Sequence, residues 1–199
     1  MRVVILRHGT TELNKQGMIQ GSSVDPDLSK EGRAYAEKAA KNFDPSQFDA
    51  VYASPLKRAQ QTARIFVGDK TPIITDKRIE ELNYGSWDGK SSLEYRKKHP
   101  DAFNSKGLIN NNIYKYASDV EKREDFRKRI AAFFDDLYKE HADDTVLVVC
   151  HGVVSRMICA HFLTNGDIKY FDQMQNCGLA ELDINREYGT LVYYNRVLA

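Results

Sequence analysis

Two short runs of β-branched and apolar residues stand out along the chain. They cover residues 3–6 and 146–149, and one residue after each run comes a His-Gly pair. A continuous apolar run of this length is typical of a strand that is buried on both faces of a parallel sheet. Further strands are predicted at residues 50–53, 73–75, 179–184 and 190–194.

Helical patterns separate most of these strands. The predicted helices cover residues 29–42, 55–67, 121–141, 153–163 and, with a less regular period, 93–99. Ser29 is expected to cap the first helix, and Ser54 to cap the second, with Pro55 at its first position. The helix at 121–141 carries an apolar stripe for burial, formed by Phe126, Ile130, Phe133, Phe134 and Leu137. Alternating strands and helices predict an α/β fold, a three-layer α/β/α sandwich with a mostly parallel central sheet and helices on both faces.

One polar segment interrupts this alternation. No repeat, low-complexity tract or flexible linker is present, so residues 1–199 are predicted to form a single domain. From about residue 90 to residue 118, however, the chain is rich in Asn, Lys and Tyr and has no clear period outside 93–99. An irregular segment of this length is usually a lid or a specificity insertion. A solvated surface excursion is the alternative.

The charge and the cysteine content indicate which binding partners and which cellular compartment to expect. With 29 Lys and Arg against 28 Asp and Glu, the net charge is +1, which provides no general attraction for nucleic acid or an anionic membrane. No stretch approaches the roughly 18 apolar residues of a membrane span, and the first apolar run is too short for a signal peptide. A cytoplasmic location is therefore expected. Cys150, Cys159 and Cys177 have no paired spacing and are interpreted as reduced thiols.

The two His-Gly pairs are expected at one edge of the sheet. Ligands of parallel sheets bind beyond the carboxyl ends of the strands, which is where Arg7, His8 and His151 would lie. Arg58 falls in the first turn of the following helix, where free backbone N–H groups already favour an anion. Guanidinium groups match phosphate oxygens with paired donors. The sequence thus predicts a phosphate pocket.

Candidates for the reacting groups lie in the same blocks. His8 is predicted to attack phosphorus as a neutral ring, because Arg7 and Arg58 disfavour its charged form. The same arginines and a donor from His151 would stabilise the charge of the transition state. Glu81 follows a strand and lies among apolar and aromatic residues, surroundings that raise the pKa of a carboxyl group. It is the candidate general acid.

These residues match a known family. Residues 6–14 read Leu-Arg-His-Gly-Thr-Thr-Glu-Leu-Asn, which resembles the Arg-His-Gly signature of the histidine phosphatase superfamily, the phosphoglycerate mutase-like proteins. The resemblance continues in the family's order through Gln20-Gly21, Asp27-Leu28-Ser29, Gly32, residues 53–59, Glu81, residues 85–89 and Cys150-His151-Gly152. An ordered series of this kind does not arise by chance as a lone tripeptide does. It implies a phosphoglycerate mutase-like fold.

The resemblance also implies a role for each candidate residue. His8 resembles the nucleophile that becomes phosphohistidine, and Glu81 resembles the proton donor, whose carboxylate then activates water. The implied phosphate clamp consists of Arg7, Arg58 and His151. Asn14 and the backbone at Gly21 and Gly152 resemble secondary phosphate or substrate contacts. The family needs no metal or other cofactor for hydrolysis, so the expected partners are a small phosphorylated substrate and inorganic phosphate as product.

Three functions remain open at this stage, with a phosphomonoester hydrolase as the leading one. A 2,3-bisphosphoglycerate-dependent phosphoglycerate mutase is the second, although mutases of this family are typically longer and usually have Asn at the position of Val153. A non-catalytic module that binds a phosphorylated ligand is the third, and the presence of all the catalytic residues argues against it. Lys97, Lys106 and Lys115 are hypothesised to bind a second anionic group of the substrate. The sequence does not indicate an oligomeric state.

Overall fold

A six-stranded sheet forms the centre of the protein. The computed structural model describes residues 1–185 and 187–199. The strands are β1 (Arg2–Arg7), β2 (Ala50–Ala53), β3 (Ile74–Thr75), β4 (Thr145–Cys150), β5 (Leu179–Ile184) and β6 (Gly189–Arg196). Their order in the sheet is β3-β2-β4-β1-β5-β6. The first four strands pair in parallel, and β5 and β6 are antiparallel to their neighbours. The predicted mostly parallel sheet is confirmed.

The helices connect and flank these strands. They are α1 (Glu12–Lys15), α2 (Lys30–Ala40), α3 (Lys57–Val67), α4 (Ser92–Lys98), α5 (Arg123–His141) and α6 (Gly152–Leu163). Each predicted helix is present within about two residues of its expected ends. The four residues of α1 were not predicted, because a single turn is too short to display a helical period. Within the described part of the chain, no helix is both long enough and apolar enough to cross a membrane.

The sheet separates two apolar cores. On the face that we call the α5 face, Val3 and Ile5 of β1 contact α5 and α6. On the opposite face, the α2 face, Val4 and Leu6 contact α2 and α3. Alternate residues of a strand point to opposite sides, and both sides of β1 are apolar because both are covered by helices. The predicted three-layer α/β/α arrangement is thus confirmed.

The two predicted helix caps have different outcomes. Ser29 caps α2 as expected, and its side chain accepts a hydrogen bond from Gly32 N at 2.9 Å. The prediction that Ser54 caps α3 is wrong, because α3 begins at Lys57 after an N-cap at Leu56 that has no side-chain hydrogen bond. Ser54 Oγ instead lies 2.7 Å from a ring nitrogen of His151. A tertiary contact replaces the local cap.

The segment at residues 90–118 packs onto the protein through aromatic rings. Trp87, which is buried just before the segment, stacks on His99 and Phe103 with ring centroids 5.6 and 5.9 Å apart. His99 in turn stacks on Tyr116 at 4.2 Å. Ile113 is fully enclosed in the same core. The segment is therefore anchored along its length.

All three cysteines are buried and unpaired. Cys150 and Cys159 lie in the core on the α5 face, and Cys177 lies in the core on the α2 face. The interpretation as free thiols is confirmed. Burial raises the pKa of Cys150 well above its ordinary value and the pKa of both other thiols to about 12.

Truncation of the buried stripe of α5 is expected to destabilise the fold. All five predicted stripe residues are buried, and Ile130 is fully enclosed. Ile130→Ala should lower the free energy of unfolding by about 2–5 kcal/mol, since it removes apolar contacts and leaves a cavity. The matched control is Leu93→Ala, at a side chain that is 63% exposed, which should change it by less than about 0.5 kcal/mol. Urea denaturation measures both, and equal effects of the two variants would contradict this packing.

Candidate active site

The register of the central strands brings the two histidines together. Arg7 at the end of β1 lies opposite Cys150 at the end of β4. His8 and His151 follow directly, and their ring centroids lie 5.1 Å apart. His8 N donates to Cys150 O at 2.9 Å, which fixes the start of the loop after β1. The predicted convergence at the carboxyl edge of the sheet is confirmed.

One ring nitrogen of His8 is hydrogen-bonded, and the other has no partner in the described part of the chain. The ring is buried, with 3% of the residue exposed, and Nδ1 lies 2.7 Å from Gly9 O. A carbonyl oxygen only accepts, so Nδ1 carries the proton and Nε2 keeps its lone pair. Burial, together with the charges of Arg58 and Arg7, lowers the pKa of His8 well below its ordinary value. The ring is therefore neutral, as predicted, and has the electron pair of a nucleophile.

Arg58 places a fully buried guanidinium group beside the histidines. Its Nη1 donates to Val24 O at 2.8 Å and its Nη2 to Gly21 O at 3.1 Å, both in the loop after α1. Its Nε donates to His151 Nδ1 at 3.3 Å. Arg58 lies in the first turn of α3, as predicted. One side chain thus joins α3, the loop after α1 and the junction between β4 and α6.

His151 has protein partners at both ring nitrogens. Nδ1 accepts from Arg58, which leaves the ring proton on Nε2, 2.7 Å from Ser54 Oγ. Burial lowers the pKa of His151 well below its ordinary value, and the charge of Arg58 adds to this effect. The ring is neutral and its orientation is fixed from two sides.

Two buried N–H groups near His8 have no partner among the described residues. They are Nε of Arg7 and Nε2 of Gln20. Both side chains are held in place, because Arg7 Nη1 donates to Met174 O and Gln20 Oε1 accepts from Thr11 Oγ1 at 2.7 Å. Arg7, Gln20 and His8 all line a cavity of about 180 Å³. Unsatisfied buried donors are rare in proteins, so this cavity is suited to an anion.

Glu81 is a buried carboxyl group in the wall of the same cavity. Only 6% of the residue is exposed. Its oxygens accept from Leu82 N at 2.9 Å and from Val153 N, in the first turn of α6, at 3.1 Å. Burial raises the pKa of Glu81 and outweighs the opposing effects of these amides and of the two site arginines. The group therefore holds a proton at a higher pH than an exposed glutamate does.

An ion pair between Arg129 of α5 and Glu121, just before this helix, holds the segment that carries Glu81. Arg129 donates to both carboxylate oxygens of Glu121, at 2.6 and 3.0 Å. Its Nη groups also reach Arg78 O at 2.5 Å and Glu81 O at 3.2 Å. Glu121 N donates to Asn83 O at 3.0 Å. The backbone on both sides of Glu81 is thereby fixed to α5.

The residues predicted to make secondary phosphate contacts differ in whether their donor groups already have a protein acceptor. Asn14 lines the cavity, and its Oδ1 accepts from Thr11 N at 3.1 Å in the capping box of α1. Its Nδ2 remains as a donor. Gly21 N, in contrast, donates to Asp88 Oδ1 at 2.7 Å. The Gly21 amide therefore has a protein acceptor, and Gly21 contributes to the site through its carbonyl contact with Arg58.

Gly152 makes room for a side chain of the cavity wall. A Cβ at this position would lie 1.8 Å from Nε2 of Gln173, which lines the cavity. The predicted site residues thus fall into two groups. Those in the cavity wall are Arg7, His8, Asn14 and Glu81, and those outside it are Arg58, His151, Gly21 and Gly152.

Several lining residues were not predicted. Tyr84 and Arg156 line the cavity without having been predicted, and Gln20 forms part of the resemblance but has no predicted role. Arg156 lies in the apolar helix α6, where its sequence context indicated only core packing. Residues 107–109 of the polar segment also form part of the wall. Among the described residues no three His, Cys, Asp or Glu side chains form a metal-binding group, and the absence of a cofactor stays a prediction.

The whole chain corresponds to one protein family. The sequence profile of the histidine phosphatase superfamily (branch 1) matches residues 3–197. The chain belongs to this superfamily. The matched range contains both histidines, both site arginines and Glu81.

Several relatives in the histidine phosphatase superfamily are named as phosphatases, and one, from Arabidopsis thaliana, is named as a phosphoglycerate mutase-like protein. Phosphoserine phosphatase 1 of Hydrogenobacter thermophilus is 32% identical over 80% of this chain and 75% of its own length. The adenosylcobalamin/alpha-ribazole phosphatase of Escherichia coli is 26% identical over 98% of this chain and 96% of its own. The crystal structure of the alpha-ribazole phosphatase from Shigella flexneri superposes with a TM-score of 0.81 at 25% identity, and covers 98% of this chain and 96% of that one. The comparisons support a hydrolase with the phosphoglycerate mutase-like fold.

The buried neutral ring of His8 should make stability depend on pH. Its pKa is about 6.5 in the unfolded chain and well below that in the folded protein. As the pH falls below 6.5, the unfolded chain therefore binds a proton that the native protein does not, and the free energy of unfolding decreases. In His8→Asn the slope in this range should be smaller by up to about 1.4 kcal/mol per pH unit.

Urea denaturation of both proteins between pH 5 and pH 8 measures this difference. Asparagine is the matched replacement, since its amide can still donate toward Gly9 O. The stability difference between the wild type and His8→Asn is expected to be constant above pH 7 and to change below it. Parallel curves through the whole range would contradict a lowered pKa of His8.

Proposed function

We propose that the protein is a phosphomonoester hydrolase that acts through a phosphohistidine intermediate on His8. The observation that carries this proposal is the free Nε2 lone pair of a neutral, buried imidazole beside donors for which the described residues supply no acceptor. A phosphoryl group in the cavity of about 180 Å³ would supply acceptors to Arg7 and Gln20. The family and its named phosphatases support the same reaction class.

In the first step, Nε2 of His8 attacks phosphorus in line with the ester oxygen. The new N–P bond forms as the ester P–O bond breaks, and Glu81 gives its proton to the leaving alcohol oxygen. The raised pKa of Glu81 keeps this proton available. Arg7 and the nearby positive charge of Arg58 stabilise the negative charge on the equatorial oxygens.

In the second step, water hydrolyses the phosphohistidine. The carboxylate of Glu81 accepts a proton from the water as its oxygen attacks phosphorus, and the N–P bond breaks to release inorganic phosphate. Glu81 is then protonated again, and His8 recovers its lone pair. The site returns to its initial state. The overall reaction converts a small phosphorylated substrate and water into an alcohol and inorganic phosphate.

His151 is the least direct member of the proposed phosphate clamp. A hydrogen bond from His151 Nδ1 to a phosphoryl oxygen requires the ring proton to move to Nδ1, where Arg58 now donates. The Ser54 hydroxyl can then donate to Nε2, since a hydroxyl group serves as donor or acceptor. Ser54 would thus orient His151 in both tautomers.

Replacement of His8 is expected to abolish hydrolysis. His8→Ala removes the nucleophile and should reduce the release of phosphate from p-nitrophenyl phosphate by at least about 10³-fold. The assay contains a chelator and a panel of phosphorylated metabolites that includes phosphoserine and the phosphoglycerates, and it measures both free phosphate and phosphoglycerate interconversion. Cys150→Ala is the control, which should retain activity because the thiol is buried in the core on the α5 face.

The same assay separates the alternative functions. Interconversion of phosphoglycerates without release of phosphate would identify a mutase. Binding of phosphate without turnover of any compound would identify a non-catalytic module. Phosphate release that persists in His8→Ala would contradict the phosphohistidine mechanism, and release that the chelator abolishes would contradict the metal-independent chemistry.

Glu81→Gln should have effects that depend on the leaving group. Alkyl phosphates need a proton on the leaving oxygen, so their kcat/KM should fall by about 10²–10⁴-fold. p-Nitrophenolate leaves without protonation, and the first turnover with p-nitrophenyl phosphate should largely persist. Because water activation is also lost, phosphohistidine should accumulate and produce a burst of about one p-nitrophenol per site, which rapid-mixing absorbance measures.

The pH dependence provides the second readout. In the wild type, turnover of alkyl phosphates should decline on the alkaline side as Glu81 loses its proton, at a pH above the ordinary carboxyl range because its pKa is raised. Glu81→Gln should lack this decline. Glu80→Gln removes the neighbouring carboxyl group, which is outside the cavity wall, and should leave both readouts unchanged. Equal losses for both substrates, with no burst, would rule out Glu81 as the acid.

A further inference from the structure

A second cavity adjoins the proposed catalytic cavity. It measures about 640 Å³ and lies between the start of α5, the helix α6, the loop after α6 and the polar segment at residues 90–118. Two residues, Ile109 and Arg156, line both cavities. A substrate with its phosphate at His8 could therefore extend past these two side chains into the second cavity.

Three arginines in the wall of this cavity have no carboxylate partner. They are Arg123, Arg127 and Arg156, and within the described residues none of them forms an ion pair. The other charged lining groups are already paired: Lys169 with Asp167 at 2.7 Å, and Glu124 with Lys128 at 2.8 Å. The cavity therefore has an excess of positive charge that the protein itself does not neutralise.

Arg156 is a rigid donor at the junction of the two cavities. Only 4% of the residue is exposed. Its Nε donates to Phe171 O at 2.9 Å and its Nη2 to Ile168 O at 3.0 Å. Nη1 has no acceptor among the described residues. Burial lowers the pKa of Arg156 and the neighbouring Arg123 adds to this effect, although a guanidinium group stays charged in proteins.

Arg123 supplies a second donor without a partner. Its Nη1 is buried and has no hydrogen bond among the described residues. Its Nη2 reaches only Ile109 O, at 3.5 Å, the outer limit of a hydrogen bond. A buried N–H group of a charged side chain is costly to leave without an acceptor. Two neighbouring guanidinium groups that each keep one nitrogen without an acceptor among the described residues are matched by an anion.

We propose that the second cavity is a subsite for a second anionic group of the substrate, which Arg123 and Arg156 bind while the phosphate ester lies at His8. The substrate class is then a phosphomonoester whose alcohol carries a carboxylate or a further phosphate. This inference rests on the proposed hydrolase function and specifies its substrate. It assigns the second anion to arginines of α5 and α6.

The lysines of the polar segment have other partners. Lys106 pairs with Asp172 and Lys115 pairs with Asp101, the latter at 3.3 Å. Neither lysine lines either cavity, and neither does Lys97. The polar segment contributes Ile109 instead, which lines both cavities. This position supports a role of the segment in substrate specificity.

Matched substrates test the subsite. n-Alkyl phosphates, ω-carboxyalkyl phosphates and alkane α,ω-bisphosphates of equal chain length differ only in the second anion, and a series of lengths covers the span between the cavities. At the best length, the wild type should have a KM at least about 10-fold lower for an anionic member than for its alkyl partner, since hydrogen bonds to charged groups are the stronger ones.

Arg123→Gln should remove most of this preference, and Arg123→Lys should retain part of it because the charge remains. The readout is the ratio of the KM of each alkyl phosphate to the KM of its anionic partner. A change that affects both substrates equally therefore does not alter the ratio. Lys139→Gln is the matched control, since it removes one exposed charge from the same helix, away from both cavities, and should leave the ratio unchanged. Preference for the carboxylate or for the bisphosphate identifies the anion.

Two results would overturn the subsite. One is an equal KM for anionic and alkyl members at every length in the wild type, and the other is a preference that survives Arg123→Gln. Failure of the proposed hydrolase function looks different, because the wild type would then release no phosphate from the simple alkyl members either. The two failures can therefore be told apart in the same assay.

Discussion

The buried guanidinium group of Arg58 is the constraint on which the rest of the site depends. A charge that is removed from water must be surrounded by acceptors, and Arg58 finds three in two separate parts of the chain: Gly21 O and Val24 O in the loop after α1, and a ring nitrogen of His151 before α6. Its position therefore fixes the loop after α1 and the start of α6 together. The same charge also favours neutral rings at His8 and His151. Geometry and reactivity of the site thus have one physical origin.

The chemistry and the selectivity of the site reside in different kinds of structure. The reacting groups follow buried strands or are fixed to α5 by the ion pair between Glu121 and Arg129, so their positions are set by the two cores. The outer walls come from residues 107–109 and from the start of α5. Such an arrangement lets the outer parts vary while the reaction centre keeps its geometry, which explains how one fold serves different substrates.

Much of the fold was predictable because the central strands are apolar on both faces, and the two His-Gly pairs follow those strands. His8 and Glu81 were candidates from their sequence context, and the resemblance implied the same roles. What could not be predicted depends on contacts between distant parts of the chain. Ser54 has the chemistry of a helix cap, but its hydroxyl is used by His151. Arg156 lies in an apolar helix, and its acceptors belong to a loop 12 and 15 residues further along. No sequence pattern marks Gln20 by itself as a site residue. The structure distinguishes it because its buried Nε2 group has no hydrogen-bond partner among the described residues.

The burial of the three thiols has a consequence for chemical probes. The thiolate is the reactive form of cysteine, and Cys150, Cys159 and Cys177 are all enclosed, with pKa values raised by burial. Alkylating and oxidising reagents that inactivate cysteine-dependent phosphatases therefore find no exposed thiol in the folded protein. Reagents that modify imidazole or guanidinium groups would reach the cavity through its opening. Resistance to the first class of reagent, combined with sensitivity to the second, would distinguish this catalyst from cysteine-based enzymes in a mixed extract.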